Sequence, residues 1–533
     1  MPSGVERLRW SQRGFVSTTR TANVTPEESS VEASLAESDA SLRTRAAKAV
    51  FWTATGAWGR QLAVFVVFAM LARLLEPADF GLVALAAVFV GFTNVLAEEG
   101  MVDALVQRKE LERAHLDAAF WTGIAFALAM TVILAALAVP IATLLNEEQL
   151  APVLVALALA IPIGSSSLVQ RALLTRELAF RSLTLRSLLA ITVGSIFGVS
   201  AALLGFGVWS LVAQNVAGVT TGTIVLWRVT DFRPRLTFSY RHCRDLLGFG
   251  SNVVGFRLLI YFTRRADELL IGVFLGPAAL GFYTVGYRML RVLFQITSSL
   301  IDSVSFPLYS RLQDKPGRLR VAFFKSTSFA ALISFPVFLS AGVLAPQVVD
   351  LFFGSKWSQS IPVMQILAFF GLIQVLTYLN GTTIKALGKP SWLTLIVGAT
   401  AILKVAAFLV AVQFGLVAVA VAATCVGYAV APLYYWGVKR LVGTTLREYW
   451  ESLRVPLVGS IALVATMLAL LYVLDVNRAM ITLAVTCAGG AVTYYVAVRL
   501  LAPPLANEVR DLVSRGLPSR GFGLPKRLLS RRP

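Results

Sequence analysis

The chain has 533 residues, of which 57% are hydrophobic and only 14% are charged, and its mean hydropathy is +0.73. A soluble domain is closer to half apolar and a quarter charged, so this composition excludes a single soluble core and indicates an apolar surface that faces lipid. The net charge of +19 falls mainly between apolar segments, which argues against nucleic acid as a partner and for membrane topology.

In chain order, residues 1–43 are polar and predict a disordered cytoplasmic tail. The apolar segments that follow predict an all-α polytopic membrane protein with about fourteen spanning helices, since a bilayer core requires about twenty apolar residues in helix. The predicted spans are 46–74, 80–100, 115–140, 150–172, 182–204, 207–229, 247–274, 279–310, 322–345, 359–385, 391–413, 416–438, 453–474 and 479–501. Residues 503–533 predict a basic cytoplasmic tail that lies against anionic lipid headgroups.

Basic residues mark cytoplasmic loops, and here they alternate between successive gaps. The even-numbered gaps hold Arg108, Lys109, Arg113, Arg171, Arg176, Arg181, Arg233, Arg235, Arg241, Arg244, Arg311, Lys315, Arg318, Arg320, Lys389, Lys439, Arg440 and Arg447. The odd-numbered gaps hold only Lys356 and Arg478, with Arg73 at a helix end. This alternation predicts that both termini lie in the cytoplasm.

An internal repeat divides the chain. The sequence LEPADFG at 75–81 joins the first two spans, and LGPAALG at 275–281 joins the seventh and eighth, 200 residues later. This predicts two parallel six-helix lobes, as in transporters: an N-lobe over 44–231 and a C-lobe over 232–441, with two further spans over 442–502. Small residues inside apolar runs predict close helix packing, at Gly194, Gly198, Gly218 and Gly222.

Ionisable residues at membrane depth are costly, so those within the spans are the candidates for function. Arg257, Tyr261, Arg264 and Glu268 share one face of span seven at helical spacing. A polar stripe runs along one face of span eight and consists of Thr284, Arg288, Arg291, Gln295, Ser298 and Asp302.

Arginine suits phosphate oxygens because its planar guanidinium is always charged. The candidates for binding an anion are therefore Arg60, Arg257, Arg264, Arg288 and Arg291. The candidates for charge balance or ion coupling are Glu98, Glu99, Asp267 and Glu268, and those for glycan contacts are Tyr261, Tyr283 and Tyr287. In the competing structural interpretation, Arg264 and Arg265 pair with Asp267 and Glu268 and only hold helices together.

Several short segments resemble one family. They are VQRALLTRELAFR at 169–181, DELLIG at 267–272, FPLYSRLQ at 306–313 and LFFGSKW at 351–357. The chain resembles the Wzx-type oligosaccharide flippases of bacterial polysaccharide synthesis, near the colanic-acid and teichuronic-acid exporters, over about residues 45–500. The resemblance implies the exporter fold shared with MATE transporters and MurJ, with a V-shaped cavity lined by spans one, two, seven and eight.

The cargo that this resemblance implies is an undecaprenyl-pyrophosphate-linked oligosaccharide repeat unit, turned to the outer leaflet of a bacterial inner membrane. Membrane lipid is the surrounding partner, and pathway logic suggests contact with the polysaccharide polymerase machinery. The alternatives are a drug or cation antiporter, a lipid II flippase and an integral-membrane enzyme. No nucleotide-binding loop, cofactor or metal site is predicted, while coupling to H⁺ or Na⁺ stays open.

Overall fold

The computed structural model describes residues 59, 61–96, 100–108, 111–236, 240–474 and 479–503, which lie within one compact unit, Ala54–Leu517. All regular structure in these ranges is helical, as predicted. The helices are α1 (Gln61–Leu74), α2 (Pro77–Asn94), α3 (Gly100–Gln107), α4 (Arg113–Leu144), α5 (Leu150–Ala158), α6 (Ala160–Ser165), α7 (Leu168–Arg176), α8 (Phe180–Leu203), α9 (Val208–Val229), α10 (Tyr240–Leu312), α11 (Pro316–Val343), α12 (Ala345–Phe352), α13 (Ser360–Ala386), α14 (Pro390–Ala411), α15 (Leu416–Val442), α16 (Leu446–Val473) and α17 (Ala479–Leu501). Short 3₁₀ turns lie at Ser355–Trp357 and Val412–Phe414.

Proline and glycine set the helix boundaries. Proline stands at the start of α2, α11 and α14, where its missing amide donor would have had no partner in the helix. Glycines at two turns have left-handed φ values, 52° at Gly207 and 93° at Gly415, which other residues rarely adopt. Gly276, with φ 82° and ψ 175°, breaks α10 into two arms, called α10a (residues 240–275) and α10b (277–312).

Ten helices in the described ranges are long and apolar enough to cross a membrane, or up to eleven if the bent pair Leu150–Ser165 and Leu168–Arg176 forms one span. The number fourteen therefore stays a prediction. Three features account for the smaller count. Gln61–Leu74 is short, Val208–Val229 is not apolar enough, and the run Arg257–Ser299 counts as one although Gly276 interrupts it.

Helix contacts place α10 at the centre of the described fold. It packs against α2, α3 and α4, which precede it in the chain, and against α11, α13 and α14, which follow it. The predicted appendage is α16 and α17, which pack together, with α16 also against α11. The Tyr494 hydroxyl of α17 donates to the Leu332 carbonyl of α11 at 2.7 Å. The lobe boundaries drawn from the repeat stay predictions.

Glycine allows α8 and α9 to approach closely, which confirms the expectation from the small residues. A Cβ added to Gly194 would lie 2.7 Å from the carbonyl oxygen of Gln214, and one added to Gly198 would lie 2.7 Å from the side chain of the same residue. Without a strong hydrophobic force between helices in lipid, such close packing supplies much of their association.

We expect Gly194→Ala to lower the thermal unfolding temperature of the purified protein in detergent. The added methyl group meets backbone that cannot move aside cheaply, and overpacking of this kind costs about 1–3 kcal/mol. Gly398→Ala is the matched control, because a Cβ there meets nothing closer than Leu259 at 4.0 Å. Equal unfolding temperatures for the two variants would contradict the packing described.

Candidate functional site

Two buried carboxylates lie where the arms of α10 run side by side. Asp267 and Glu268 on α10a are only 3% and 5% exposed. The hydroxyl of Tyr283 on α10b donates to Oδ2 of Asp267 at 2.7 Å, and the rings of Tyr283 and Tyr287 are stacked with centroids 5.8 Å apart. The other oxygen of Asp267, Oδ1, is buried and has no hydrogen-bond partner among the described residues. Tyr283 is therefore the group that satisfies this carboxylate.

Glu268 accepts hydrogen bonds from two arginines. Arg265 donates from the preceding turn of α10a, and Arg291 of α10b donates through Nη2 at 3.0 Å. The guanidinium of Arg291 also lies over the ring of Tyr287, 5.0 Å from its centroid. The single negative charge of Glu268 thus balances one of the two positive charges of Arg265 and Arg291, and its bond to Arg291 joins α10a to α10b.

The pairing differs in one respect from the structural interpretation of the sequence. Arg264 was expected to pair with Glu268 four residues away, but Arg265 occupies that carboxylate and Arg264 is exposed. Arg265 was not among the predicted anion-binding residues, although its spacing of three residues from Glu268 is as compatible with a helical ion pair as a spacing of four.

Arg288 of α10b has a buried donor without a hydrogen-bond partner in the part of the chain that the structure describes. Its guanidinium lies over the ring of Phe68 in α1, 5.0 Å from the centroid. Its Nε is buried and has no hydrogen-bond partner among the described residues, and the same holds for Oγ1 of Thr284 one turn away. A buried donor without a partner costs about 1–3 kcal/mol, so an acceptor bound here would recover that energy.

Tyr261 has a different place from the other two tyrosines. Its hydroxyl donates to the carbonyl of Val88 in α2 at 2.6 Å, and its ring lies against Gly91, where a Cβ would come within 2.5 Å of the hydroxyl oxygen. The geometry makes Tyr261 a contact between α10a and α2.

The remaining predicted residues are placed as follows. Arg257 is partly exposed on α10a, and Arg60, Glu98 and Glu99 lie outside the described residues. Lys404 of α14, which the sequence did not single out as a binding residue, donates to the carbonyl of Thr263 at 3.2 Å.

The described part of α10 therefore carries an excess of positive charge. Between residues 257 and 291 the chain has five arginines and two acids, and both acids are already bonded. Such an excess within a span-length apolar helix requires an anion, water or headgroups nearby.

Residues 70–362, more than half of the chain, match the family described as "Polysaccharide biosynthesis protein". The chain is 31% identical over 316 residues to the succinoglycan biosynthesis transport protein ExoT of Rhizobium meliloti, covering 59% of this chain and 63% of that relative. It is 26% identical over 403 residues to the lipopolysaccharide biosynthesis protein WzxC of Escherichia coli, covering 73% of this chain and 80% of that one. The resemblance to Wzx-type exporters is thereby confirmed.

Two solved structures share the fold. The lipid II flippase MurJ in an inward closed conformation superposes with a TM-score of 0.71 at 11% identity, covering 87% of this chain and 99% of that chain. An inward-facing multidrug resistance MATE family transporter of the MOP superfamily superposes with a TM-score of 0.51 at 16% identity, covering 74% of this chain and 95% of that chain. The fold class predicted from the repeat and the spans is confirmed by these neighbours.

A double-mutant cycle tests the bond between Tyr283 and Asp267. We expect Tyr283→Phe to destabilise the protein in detergent, because it leaves both carboxylate oxygens without a partner. Hydrogen bonds to charged groups contribute about 1.5–3 kcal/mol, so the cycle with Asp267→Ala, which removes the acceptor, should give a coupling free energy of that size. Additive effects of the two substitutions on thermal unfolding would show that the bond contributes nothing.

Proposed function

We propose that this chain, which belongs to the polysaccharide biosynthesis protein family, flips a polyprenyl-pyrophosphate-linked oligosaccharide across the bacterial inner membrane. It acts as a transporter and not as an enzyme, and delivers the repeat unit to the outer leaflet for polymerisation. The observation that carries the proposal is the excess of arginine in α10, with five arginines against two acids over residues 257–291.

The pyrophosphate is the part of the cargo that needs these cations. Two linked phosphates carry several negative charges that are costly to move through hydrocarbon. Arginine offers paired donors that match phosphate oxygens and stays charged whatever the local environment. We assign the pyrophosphate to Arg288, which has a buried donor without a hydrogen-bond partner among the described residues. Arg257, Arg264 and Arg291 complete the set, called the cationic face below, and the predicted residue Arg60 lies outside the described residues.

The two acids of α10 have separate roles in this proposal. Glu268 orients Arg265 and Arg291 so that their free donors face the cargo, and Asp267 fixes the stacked tyrosines through Tyr283. Of the three tyrosines, Tyr283 is only 1% exposed and Tyr261 is bonded to α2, so Tyr287 remains the candidate for contact with the glycan. Coupling to H⁺ or Na⁺ through Glu98 and Glu99 belongs to the same proposal.

The alternation of basic residues between successive loops supports the orientation of the protein in the membrane. Basic residues collect on the cytoplasmic face of membrane proteins, and this rule supports cytoplasmic termini with the Pro77 and Pro277 turns outside. The glycan then crosses between the helices while the prenyl chain stays in lipid. We propose that the polysaccharide polymerase machinery receives the unit at the outer face.

The alternative cargoes are distinguishable by phenotype. The fold neighbours include a lipid II flippase and a multidrug transporter, but they support the fold only. Deleting the gene should abolish surface polysaccharide and trap the lipid-linked repeat unit on the cytoplasmic leaflet. Intact polymer with failure of cell-wall growth would indicate lipid II, and intact polymer with altered drug tolerance would indicate the antiporter.

We expect Arg288→Ala and Arg291→Ala to lower polymer export when each replaces the wild-type gene. Losing one charge-assisted contact to phosphate, worth about 1.5–3 kcal/mol, corresponds to a decrease of about tenfold or more in cargo binding. Arg288→Lys should restore little of the export, because lysine has neither the planar group that lies over Phe68 nor the forked donors of arginine. Surface polysaccharide and protein level in the membrane are the measurements.

Arg447→Ala is the matched control for these variants. Its side chain is 89% exposed and pairs with Glu451 on the same helix, away from α10. Wild-type export in both Arg288→Ala and Arg291→Ala, at normal membrane levels, would contradict the assignment of the pyrophosphate.

A further inference from the structure

The two repeats meet through a reciprocal contact at their Pro-x-x-x-Gly turns. A Cβ added to Gly81 at the start of α2 would lie 1.7 Å from the carbonyl oxygen of Pro277, and one added to Gly281 at the start of α10b would lie 1.9 Å from that of Pro77. Each glycine thus receives the proline carbonyl of the other repeat. No residue other than glycine fits at either position without moving a backbone.

Polar side chains make further contacts near these turns. Arg73, at the end of α1, donates through Nε to the carbonyl of Phe352 at 3.2 Å and also to the carbonyl of Leu351. The indole Nε1 of Trp357 donates to the carbonyl of Ala72 at 2.8 Å. The ammonium of Lys356 lies 3.5 Å from the carboxylate of Glu76. Four separate polar contacts therefore join the α1–α2 turn to the α12–α13 connection.

An aromatic cluster fills the space beside these polar contacts. Phe80 packs edge-to-face on Trp357 with centroids 5.4 Å apart, and Phe65 packs on Phe352 and Phe353 at 5.4 and 5.9 Å. Trp357 is fully buried. These rings pack α1 and the start of α2 against the end of α12 and the α12–α13 connection, beside the glycine contacts.

We propose that the Gly81–Pro277 and Gly281–Pro77 contacts form the outer gate of the transporter, and that this gate separates in each cycle. The term outer gate is used below for these four residues. The inference rests on the proposed function for its sidedness and for the need to open, since a glycan moved to the outer leaflet has to leave at this end. A permanent hinge at the same place would block that exit.

The chemistry of the contact suits a gate. Glycine Cα hydrogens against carbonyl oxygens give weak bonds, and two backbones meet without interlocked side chains. Separating the two backbones breaks no side-chain contact between these four residues, whereas the bonds that Arg73 and Trp357 make beside them have to break as well. The ion pair of Lys356 with Glu76 is largely exposed on the carboxylate side, where water replaces the partner at little cost.

A thiol-labelling experiment tests whether the glycines hold the gate closed. Thr284 lies one turn beyond Gly281, and its hydroxyl oxygen is buried. We place Thr284→Cys in a chain whose Cys243, Cys425 and Cys487 are replaced by Ser, and add a membrane-impermeant maleimide from outside. The cysteine should label slowly in this background and about tenfold faster with Gly81→Ala or Gly281→Ala, since either methyl group disfavours the closed state.

Gly317→Ala is the matched control, because a Cβ there meets nothing within 4 Å. Its labelling rate should equal that of the parent chain. Labelling that is equally slow in the Gly81→Ala and Gly281→Ala variants would overturn the proposal. Because the reaction needs no cargo, its result does not depend on which cargo the protein carries.

A cross-linking experiment distinguishes a gate from a hinge and does not depend on the glycine variants. Glu76→Cys and Lys356→Cys, in the same cysteine-free background, are joined by a cleavable bifunctional thiol reagent. Polymer export should stop when the link forms and return when it is reduced. Export that continues with the link in place would show a hinge and overturn the gate.

The control for the reagent is the pair Arg447→Cys and Glu451→Cys, whose native side chains form an ion pair within one helix. Linking them should leave export unchanged. Fast labelling in the glycine variants together with a cargo other than the lipid-linked oligosaccharide would keep the gate and reject the proposed function.

Discussion

A charge placed among apolar helices has to be bonded to protein, water or an anion, and this constraint organises α10. Glu268 is nearly fully buried and is stabilised by Arg265 and Arg291, while Asp267 is stabilised by Tyr283. Both acids are thus bonded to side chains of α10a and α10b. The arginines outnumber them, so the surplus positive charge is available to a ligand that is negative and large enough to reach both arms.

The cationic face lies on α10, and so do Pro277 and Gly281, the two residues that α10b contributes to the outer gate, which links binding to access. Arg288 follows Gly281 by seven residues, about two helical turns or roughly 10 Å along α10b. Phe68, which lies under the guanidinium of Arg288, also packs on Phe80 and Phe353 beside the gate. Movement of α10b away from α2 would therefore separate the outer gate and disturb the contact between Arg288 and Phe68 together.

Much of the fold could be predicted from the sequence because its signals are local. Apolar runs of span length, glycine at turns with left-handed φ and the repeat at 75–81 and 275–281 each report on a few neighbouring residues. The partners of the charged residues were harder to predict, because they depend on the rotation of each helix relative to its neighbour. A spacing of three or four residues allowed either Arg264 or Arg265 to reach Glu268, and the bond from Arg291 crosses between the two arms. The repeat identified Pro77 and Pro277 but gave no sign that each would touch the glycine of the other.

The central claim is that the cationic face carries a pyrophosphate-linked glycan between leaflets, and transport by the purified protein in liposomes tests it most directly. The lipid-linked oligosaccharide is placed in the inner leaflet, and its arrival outside is followed with a membrane-impermeant glycosidase. We predict protein-dependent exposure of the pyrophosphate-linked glycan and little movement of the same glycan on a neutral prenyl lipid. Equal movement of both lipids, or no movement above that of protein-free vesicles, would contradict the account.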